Sequence, residues 1–271
     1  PPLLEFDSCG TGSSAKPSYL SSSTTAIEID ESFEGCPSSS CDVLSAATSG
    51  DFIVPASGCT LSSGRITLSG NMTVEGRAGA AEWPEIQALQ QHFSVGSGLR
   101  LELRYLTLIG GSNYGGGSIS INGQGTELVV ASCKFKNNQA GYSGGAISVS
   151  SNALAFIESS VFDGNSVTFS YTGYGGGAIS VSYGGTVTIA STQFKNNIAT
   201  DQSRGGAIRV NDGGKVILSG GDNVFEATNS AGAGNMTYLA KSSSSTPPLL
   251  EFDSCGTGSS AKPSYLSSST T

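Results

Sequence analysis

The chain is poor in charged residues, which make up only 13% of its 271 positions. No apolar run approaches the roughly 18 residues that a membrane-spanning helix needs, so we expect no membrane span in this sequence. Acidic residues outnumber basic ones by 21 to 13, giving a net charge of −8. Phosphate binding requires clustered Lys and Arg, so we expect no nucleic-acid partner either.

Side chains suited to catalysis are also scarce. His92 is the only histidine, and the cysteines form no Cys-x-x-Cys pair that would favour zinc. Carboxylates in the middle of the chain do not recur at one interval, so they predict no paired acid and base: Glu127, Glu158, Asp163, Asp201, Asp212, Asp222 and Glu226. We therefore expect no catalytic residues, no metal site, no cofactor and no enzyme activity.

The sequence does contain a long exact repeat. Residues 1–25 and 247–271 both read PPLLEFDSCGTGSSAKPSYLSSSTT, an offset of 246 residues. This identity predicts one unit of a tandem array, followed by the start of the next unit. Because the chain begins at Pro1 without Met or an apolar leader, we expect it to come from a longer protein. The alternative, a cloning scar or an artificial overlap, remains open.

A shorter repeat lies inside the unit, between residues 115 and 229. Its first motif is a Gly-rich GGAI or GGSI-like sequence that ends in a column of isoleucines: Ile119, Ile147, Ile179 and Ile208. The second motif, Phe-x-x-Asn, alternates with the first and supplies two further columns: Phe135, Phe162 and Phe194, with Phe225 as an imperfect fourth, and Asn138, Asn165 and Asn197.

These motifs predict an all-β solenoid. Alternating β-branched stretches such as Thr186–Ile189 indicate strands with one buried face, about three strands in each coil of roughly 30 residues. Parallel stacking at about 4.8 Å would align the Ile and Phe columns inside and add a third, Val130, Ile157 and Ile189. Stacked Asn amides would satisfy backbone groups at a corner. About six coils would give a unit on the order of 30 Å long.

The GGAI and Phe-x-x-Asn motifs resemble the repeats of chlamydial polymorphic outer membrane proteins. They also resemble the wider pectate-lyase-like superfamily of right-handed single-stranded parallel β-helices. The resemblance covers about 115 residues strongly and extends weakly upstream through Ile66, Met72 and Leu99–Leu108. It implies that the motifs mark structural coils, and that domains built from them act in adhesion.

Cysteines and sequons indicate an extracellular or cell-surface protein. The disulfide candidates, whose connectivity the sequence leaves open, are Cys9, Cys36, Cys41, Cys59 and Cys255. Cys133 stands apart in the coils, where we expect a buried thiol, with an interchain bridge as the alternative. The sequons at Asn71 and Asn235 predict N-glycosylation.

Four segments are expected along the chain. Residues 1–25 form a linker and seam, residues 26–60 a Cys-rich cap, residues 61–240 the β-helix, and residues 241–271 a Ser-rich linker with the start of the next repeat. Within the β-helix, Glu82–Gln91 is expected to form a helical turn, with Pro84 at its start and Trp83 packed on the wall. The seam between units is predicted to use apolar residues of the repeated segment: Leu3, Leu4 and Phe6, and their copies Leu249, Leu250 and Phe252.

Two functional interpretations follow. The first is a structural subunit of an extracellular filament, whose partners are neighbouring copies of the same repeat stacked head to tail. The second is an adhesin or glycan-binding module that uses aromatic residues of the Gly-rich loops: Tyr114, Tyr142, Tyr171, Tyr174 and Tyr183. A polysaccharide lyase is the least favoured interpretation.

Overall fold

A computed structural model describes residues 27–28, 41–62, 64–169, 174–200, 202–220, 223–232, 237–239 and 249–253. Within these ranges the chain is almost entirely β-structure, and its one helix is Asp42–Ala47. All strand pairs are parallel, and each strand bonds to its equivalents in the preceding and following coils. The fold is a right-handed parallel β-helix, as the sequence predicts. No helix in the described part of the chain is long and apolar enough to cross a bilayer.

Four sheets run along the solenoid. The main sheet has nine strands, in spatial order Ile27–Glu28, Gly50–Ile53, Met72–Glu75, Arg100–Arg104, Glu127–Ala131, Leu154–Glu158, Thr186–Ala190, Lys215–Ser219 and Leu249–Asp253. The Phe sheet has seven, which are Cys59–Leu61, Glu85–Ala88, Thr107–Ile109, Lys134–Lys136, Val161–Asp163, Gln193–Lys195 and Val224–Phe225.

The other two sheets complete each coil. The Ile sheet consists of Ile66–Thr67, Phe93–Val95, Ile119–Asn122, Ile147–Ser150, Ile179–Val181, Ile208–Val210 and Thr237–Leu239. A fourth sheet, in addition to the three strands predicted for each coil, consists of Ser112–Gly115, Gln139–Ser143, Ser166–Val167 and Ile198–Ala199. Middle coils therefore have four strands instead of three. Asn138, Asn165 and Asn197 are here called the Asn ladder, and the residues that follow them also pair with neighbouring coils.

Alternation explains why these short segments form strands. In Glu127–Ala131 the side chains of Leu128 and Val130 are fully buried, while the residues between and beside them are only half-buried. The same period of two recurs in Thr186–Ala190 and Lys215–Ser219. Each coil thus sends one apolar face inward, and the core is a set of columns running along the solenoid axis.

The columns expected from the motifs are in register. Ile119, Ile147, Ile179 and Ile208 pair in sequence, and so do Phe135, Phe162, Phe194 and Phe225. Val130, Ile157 and Ile189 belong to a longer register of main-sheet positions, here called the main column, which runs from Ile27 through Phe52 to Leu218. Successive members of this column are between 22 and 29 residues apart, except for one interval of 32.

The predicted helical turn at Glu82–Gln91 is wrong, because Glu85–Ala88 is a strand of the Phe sheet. Ile86 and Ala88 are buried between Cys59–Leu61 and Thr107–Ile109, while Glu85 and Gln87 face out. Leu89, the residue expected to share the helical face with Ile86, is 85% exposed. Pairing with two neighbouring coils outweighs the local helix signal of Pro84.

The solenoid also starts earlier and is longer than expected. Gly50–Ile53 lies within the predicted Cys-rich cap of residues 26–60 and Cys59–Leu61 begins in it, yet both are strands of the sheets. Nine main-sheet strands, with eight spacings of about 4.8 Å, give a length of roughly 38 Å instead of 30 Å. The predicted linker segments 1–25 and 241–248 lie outside the described residues.

Candidate functional site

The Phe column forms a continuous aromatic stack inside the Phe sheet. The ring centroids of Phe135, Phe162, Phe194 and Phe225 follow one another at 4.8, 4.9 and 4.7 Å, with interplanar angles of 4 to 6°. Parallel in-register strands produce this spacing, because each ring sits one coil above the last. The stack contributes to core packing, and each further coil of this kind adds one ring to it.

The Asn ladder forms hydrogen bonds with backbone groups at the corner that follows the Phe sheet. The Asn165 amide donates to the Phe135 carbonyl at 2.9 Å and to Asn197 Oδ1 at 3.0 Å. Its own Oδ1 accepts from both the backbone N–H and the Nδ2 of Asn138. Asn229 is a fourth member, fully buried, and it donates to the Phe194 carbonyl at 2.9 Å. The extra residue before Asn229 hid it from the strict Phe-x-x-Asn pattern.

His92 takes over the role of the ladder in the preceding coil. Its Nε2 lies 2.9 Å from the Ile86 carbonyl, and Ile86 pairs with Leu108, whose carbonyl accepts from Asn138. The carbonyl can only accept, so Nε2 carries the proton and Nδ1 accepts from the Ser118 hydroxyl at 3.1 Å. Burial lowers the pKa of His92 to about 4, although the hydrogen bond to Ile86 opposes the shift.

Gly111 makes room for this histidine. It stands at the place of a ladder Asn, since its backbone N–H donates to Asn138 Oδ1 at 2.9 Å. A Cβ at Gly111 would lie 2.7 Å from His92 Nδ1, so no larger residue fits beside the ring. The imidazole therefore fills the space that an Asn side chain would occupy. His92 is a buried structural group and not an exposed catalytic base.

A charged cluster that sequence reasoning missed lies on the outer face of the main sheet. Glu102 lies between Arg100 and Arg104 and forms ion pairs with both, and Arg100 Nε also contacts Glu127 Oε2 at 3.0 Å. Burial would raise the pKa of Glu102, but hydrogen bonds and charge from the two arginines outweigh it and lower the pKa. A carboxylate held ionised in this way is a poor proton carrier near neutral pH. The alternation of charged residues in Arg100–Arg104 is the sequence feature that indicates this cluster.

The other described carboxylates of the middle coils do not converge. Asp163 contacts Lys195 Nζ at 3.6 Å, and Glu226 accepts from Gln193 Nε2 at 2.6 Å. Asp212 accepts from Asn211, and Glu158 lies on the surface. Asp201 and Asp222 lie outside the described residues. Among the residues that can be placed, no three His, Cys, Asp or Glu side chains are grouped so as to hold a metal ion.

An exposed aromatic cluster lies on the fourth sheet. Tyr114 and Tyr142 stack at 5.5 Å, and Tyr142 also contacts Phe169 at 5.0 Å and Tyr174 at 4.6 Å. Tyr114 is 66% exposed, whereas Tyr142 is surrounded by three rings. Tyr183 is also exposed but belongs to a different corner, after Ile179–Val181, and Tyr171 lies outside the described residues.

Two of the cysteine candidates are joined. Cys41 and Cys59 form a disulfide with a Cα–Cα distance of 5.3 Å, which fixes the start of helix Asp42–Ala47 to the first strand of the Phe sheet. Cys133 is a buried thiol, and burial raises its pKa to about 12, so it is poorly placed for an interchain bridge. Cys9, Cys36 and Cys255 lie outside the described residues.

The first of the two sequons lies at the surface. Asn71 is exposed, and its Oδ1 accepts from the Arg100 backbone N–H at 2.9 Å. Asn235 lies outside the described residues. Trp83, the predicted wall-packing residue, is half-buried beneath the ammonium of Lys134, whose Nζ lies 5.0 Å from the ring centroid. This contact is a surface cation–π pair.

The segment Leu249–Asp253 closes the main sheet. It pairs in parallel with Lys215–Ser219 over five residues, from Leu249 opposite Lys215 to Asp253 opposite Ser219. Leu250 lies opposite Val216 and packs against the core, while Leu249 is exposed. The corresponding first copy, with Leu3, Leu4 and Phe6, lies outside the described residues. The candidate functional element is thus the end strand of the sheet.

Comparison with known proteins gives one match. Residues 132–150 match the model of the Chlamydia polymorphic membrane protein repeat. The matched stretch contains Phe135, Asn138 and the motif Gly144–Ile147, that is, one Phe-x-x-Asn motif followed by one GGAI motif. No curated protein and no solved structure matches the chain.

Proposed function

We propose that the chain is a structural unit of an extracellular or cell-surface filament, in which 246-residue units stack head to tail. The observation that carries this proposal is the main column. From Phe52 to Leu218 it passes through seven coils, each member at most 4% exposed, without a break or a cap. A structure that repeats along one axis extends by adding coils, and the exact repeat of residues 1–25 at 247–271 indicates that the sequence unit itself recurs.

The surface location rests on two further observations. The 19 residues 132–150 are similar to a repeat described as that of a membrane protein of Chlamydia. The disulfide Cys41–Cys59 is typical of oxidising compartments outside the cytosol. Both support a place at the cell surface. The proposed partners are neighbouring copies of the same repeat.

Electron microscopy of a protein with two or more complete units tests the proposal. We expect stiff rods whose length grows in proportion to the number of units. The 271-residue chain, with one unit, is the control and should appear as a single short rod. Globular beads on flexible tethers, with variable distances between beads, would overturn the filament proposal.

A second candidate function is glycan binding, which the exposed Tyr114 favours. Tyr142 argues less strongly, because the ring of Tyr114 stacks on it and the rings of Phe169 and Tyr174 also contact it. A glycan array distinguishes the two functions. Binding by the single-unit chain that is lost in Tyr114→Ala and kept in Tyr183→Ala would support an adhesin that uses the fourth sheet. An array with no binding would remove this candidate.

We propose no enzyme activity. The charged cluster of Glu102 and its arginines is the arrangement most similar to a polysaccharide-cleaving site, but its charges are neutralised by each other. Incubation with acidic and neutral polysaccharides should release no unsaturated or reducing sugars. If products appeared and were lost in Glu102→Gln, this part of the proposal would be wrong.

A further inference from the structure

We propose that adjacent units are joined by an uninterrupted main sheet, in which Leu249–Asp253 is the first strand of the following unit seated on the last coil of the preceding one. This inference rests on the proposed tandem filament and specifies its joint. The occupant of the sheet edge is therefore a second copy of this unit, attached through the repeated segment.

The contacts of the end strand match those inside the solenoid. Leu249 N–H donates to the Gly214 carbonyl at 3.0 Å, just as Lys215 N–H donates to Gly185 at 2.8 Å one coil earlier. The five-residue register on Lys215–Ser219 is as long as that between Lys215–Ser219 and Thr186–Ala190. The end strand is thus bonded as an ordinary coil and not as a loosely attached tail.

The apolar register continues as well. Leu250 lies opposite Val216 and packs against the core, so the end strand extends this core column by one position. The backbone of Phe252 is in register with Leu218. Val216 and Leu218 are almost fully buried, at 0% and 4% exposure, although they belong to the last complete coil. An open sheet edge needs such a cover, because unpaired strand groups otherwise invite other partners.

The strand that covers the edge of the sheet also belongs to a repeated segment, because residues 1–25 and 247–271 are identical. The sequence of Leu249–Asp253 is also that of Leu3–Asp7, so the strand that ends one unit is the strand that begins the next. In the first copy, 21 residues separate Phe6 from Ile27, the next member of the main column. One described coil, from Phe52 to Val74, takes 22 residues. The spacing in the first copy is one position shorter than this coil, so it is close to the length of a single coil and leaves no room for a long linker.

This arrangement predicts the axial period of the filament. The main sheet has nine strands, of which Leu249–Asp253 is already the first of the following unit. Counting that strand with the following unit and one equivalent strand with this unit, each 246-residue unit contributes nine strands under this proposal. At about 4.8 Å for each strand, the period is roughly 43 Å.

Hydrogen exchange of the 271-residue chain tests the joint directly. Peptides that begin at Tyr238 or Leu239 and end at Asp253 occur only in the second copy, so they report on this strand alone. We expect slow exchange in Leu249–Asp253, and at least about tenfold faster exchange in Leu250→Asp, both there and in Lys215–Ser219. Leu4→Asp, the same substitution in the first copy, should leave these peptides unchanged, and so should Leu249→Asp on the exposed face.

The outcomes separate the joint from the filament. Fast exchange of Leu249–Asp253 in the unmodified chain would overturn the joint, even if rods were seen. Rods with an axial period far from 43 Å would do the same, since they would show units capped separately. Slow exchange together with flexible beads instead of rods would overturn the filament while retaining the strand pairing. Slow exchange together with a period near 43 Å supports both.

Discussion

Asn165 illustrates how a polar residue stabilises the interior of this solenoid. It is fully buried, yet its amide and carbonyl oxygen are bonded to groups of both neighbouring coils. At this corner the backbone leaves the Phe sheet, and strand pairing cannot satisfy every carbonyl. The recurrence of Asn at one position therefore follows from hydrogen-bond geometry and not from a ligand.

Replacing Asn165 by Ala should strongly destabilise the protein. The change removes the hydrogen bond to the Phe135 carbonyl and leaves the Asn138 backbone N–H without its partner in a buried corner, which should cost roughly 2–5 kcal/mol. Asn122→Ala, at an exposed strand end, is the matched control and should cost less than about 0.5 kcal/mol. Chemical denaturation followed by circular dichroism measures both. Equal effects would contradict the proposed role of the ladder.

His92 makes stability depend on pH. Its folded-state pKa of about 4 lies below the usual value of 6.5, so the unfolded chain binds a proton more readily than the folded one. The stability due to neutral His92 is complete above about pH 6.5, falls as the pH decreases, and is lost by about pH 4. Because this is the only histidine, no other imidazole contributes.

The variant His92→Gln should remove this acid sensitivity. Between about pH 6.5 and 5 the wild-type free energy of unfolding should fall by about 2 kcal/mol through this residue, at roughly 1.4 kcal/mol for each pH unit. The variant should be less stable at pH 8 but show a flatter profile over the same range. Denaturant titrations at several pH values test this, and identical slopes for the two proteins would refute it.

At the scale of the element, the strands show that an aromatic residue contributes according to the face it occupies. Phe162 stacks inside between Phe135 and Phe194, whereas Phe156, on the strand just before it, lies on the outer face and is 42% exposed. Both are Phe residues in neighbouring strands of the same coil. They form a matched pair for separating core packing from surface burial.

Phe162→Ala should cost about 3–5 kcal/mol, because it leaves a cavity in the middle of the aromatic stack. Phe156→Ala should cost less than about 1 kcal/mol, since much of that ring already contacts water. Thermal or denaturant unfolding of the two variants gives the comparison. A larger loss for Phe156 would mean that the outer face of the main sheet is covered in solution.

At the scale of the whole molecule, stability should increase with the number of units. In a solenoid each coil contacts only its neighbours, so a second unit adds its own coils and one further interface. A chain with two complete units should therefore unfold at a higher denaturant concentration than the 271-residue chain.

The substitution Leu250→Asp at the junction should remove about 2 kcal/mol of this gain, because Leu250 packs on the core of the preceding coil. The same substitution at Leu4, in the first copy of the repeated segment, should not reduce the gain from the junction. Denaturation midpoints of the four proteins provide the measurement. No difference between the two variants would indicate that units are stabilised independently.

The sequence by itself determined the fold class and the identity of the main columns. Ile119, Phe135 and Asn138 recur at nearly constant intervals, and only a stacked solenoid brings such residues together. Regular repeats can be recognised in the sequence because equivalent positions of successive coils have similar surroundings and therefore require similar residues. Positions that depart from the repeat are harder to predict. Asn229, for example, joins the Asn ladder although it lies one residue later than the Phe-x-x-Asn motif places it.

Only the tertiary structure decided the remaining features. Ile86 belongs to a strand because two neighbouring coils bond to it, which no local pattern around Pro84 reveals. The ion pair of Arg100 with Glu127 needs two coils to assemble, as does the fit of His92 against Gly111. The position of Leu249–Asp253 on Lys215–Ser219 also depends on contacts across the coils. Sequence periodicity encodes contacts that recur, whereas contacts made once in the solenoid depend on the packing of particular coils.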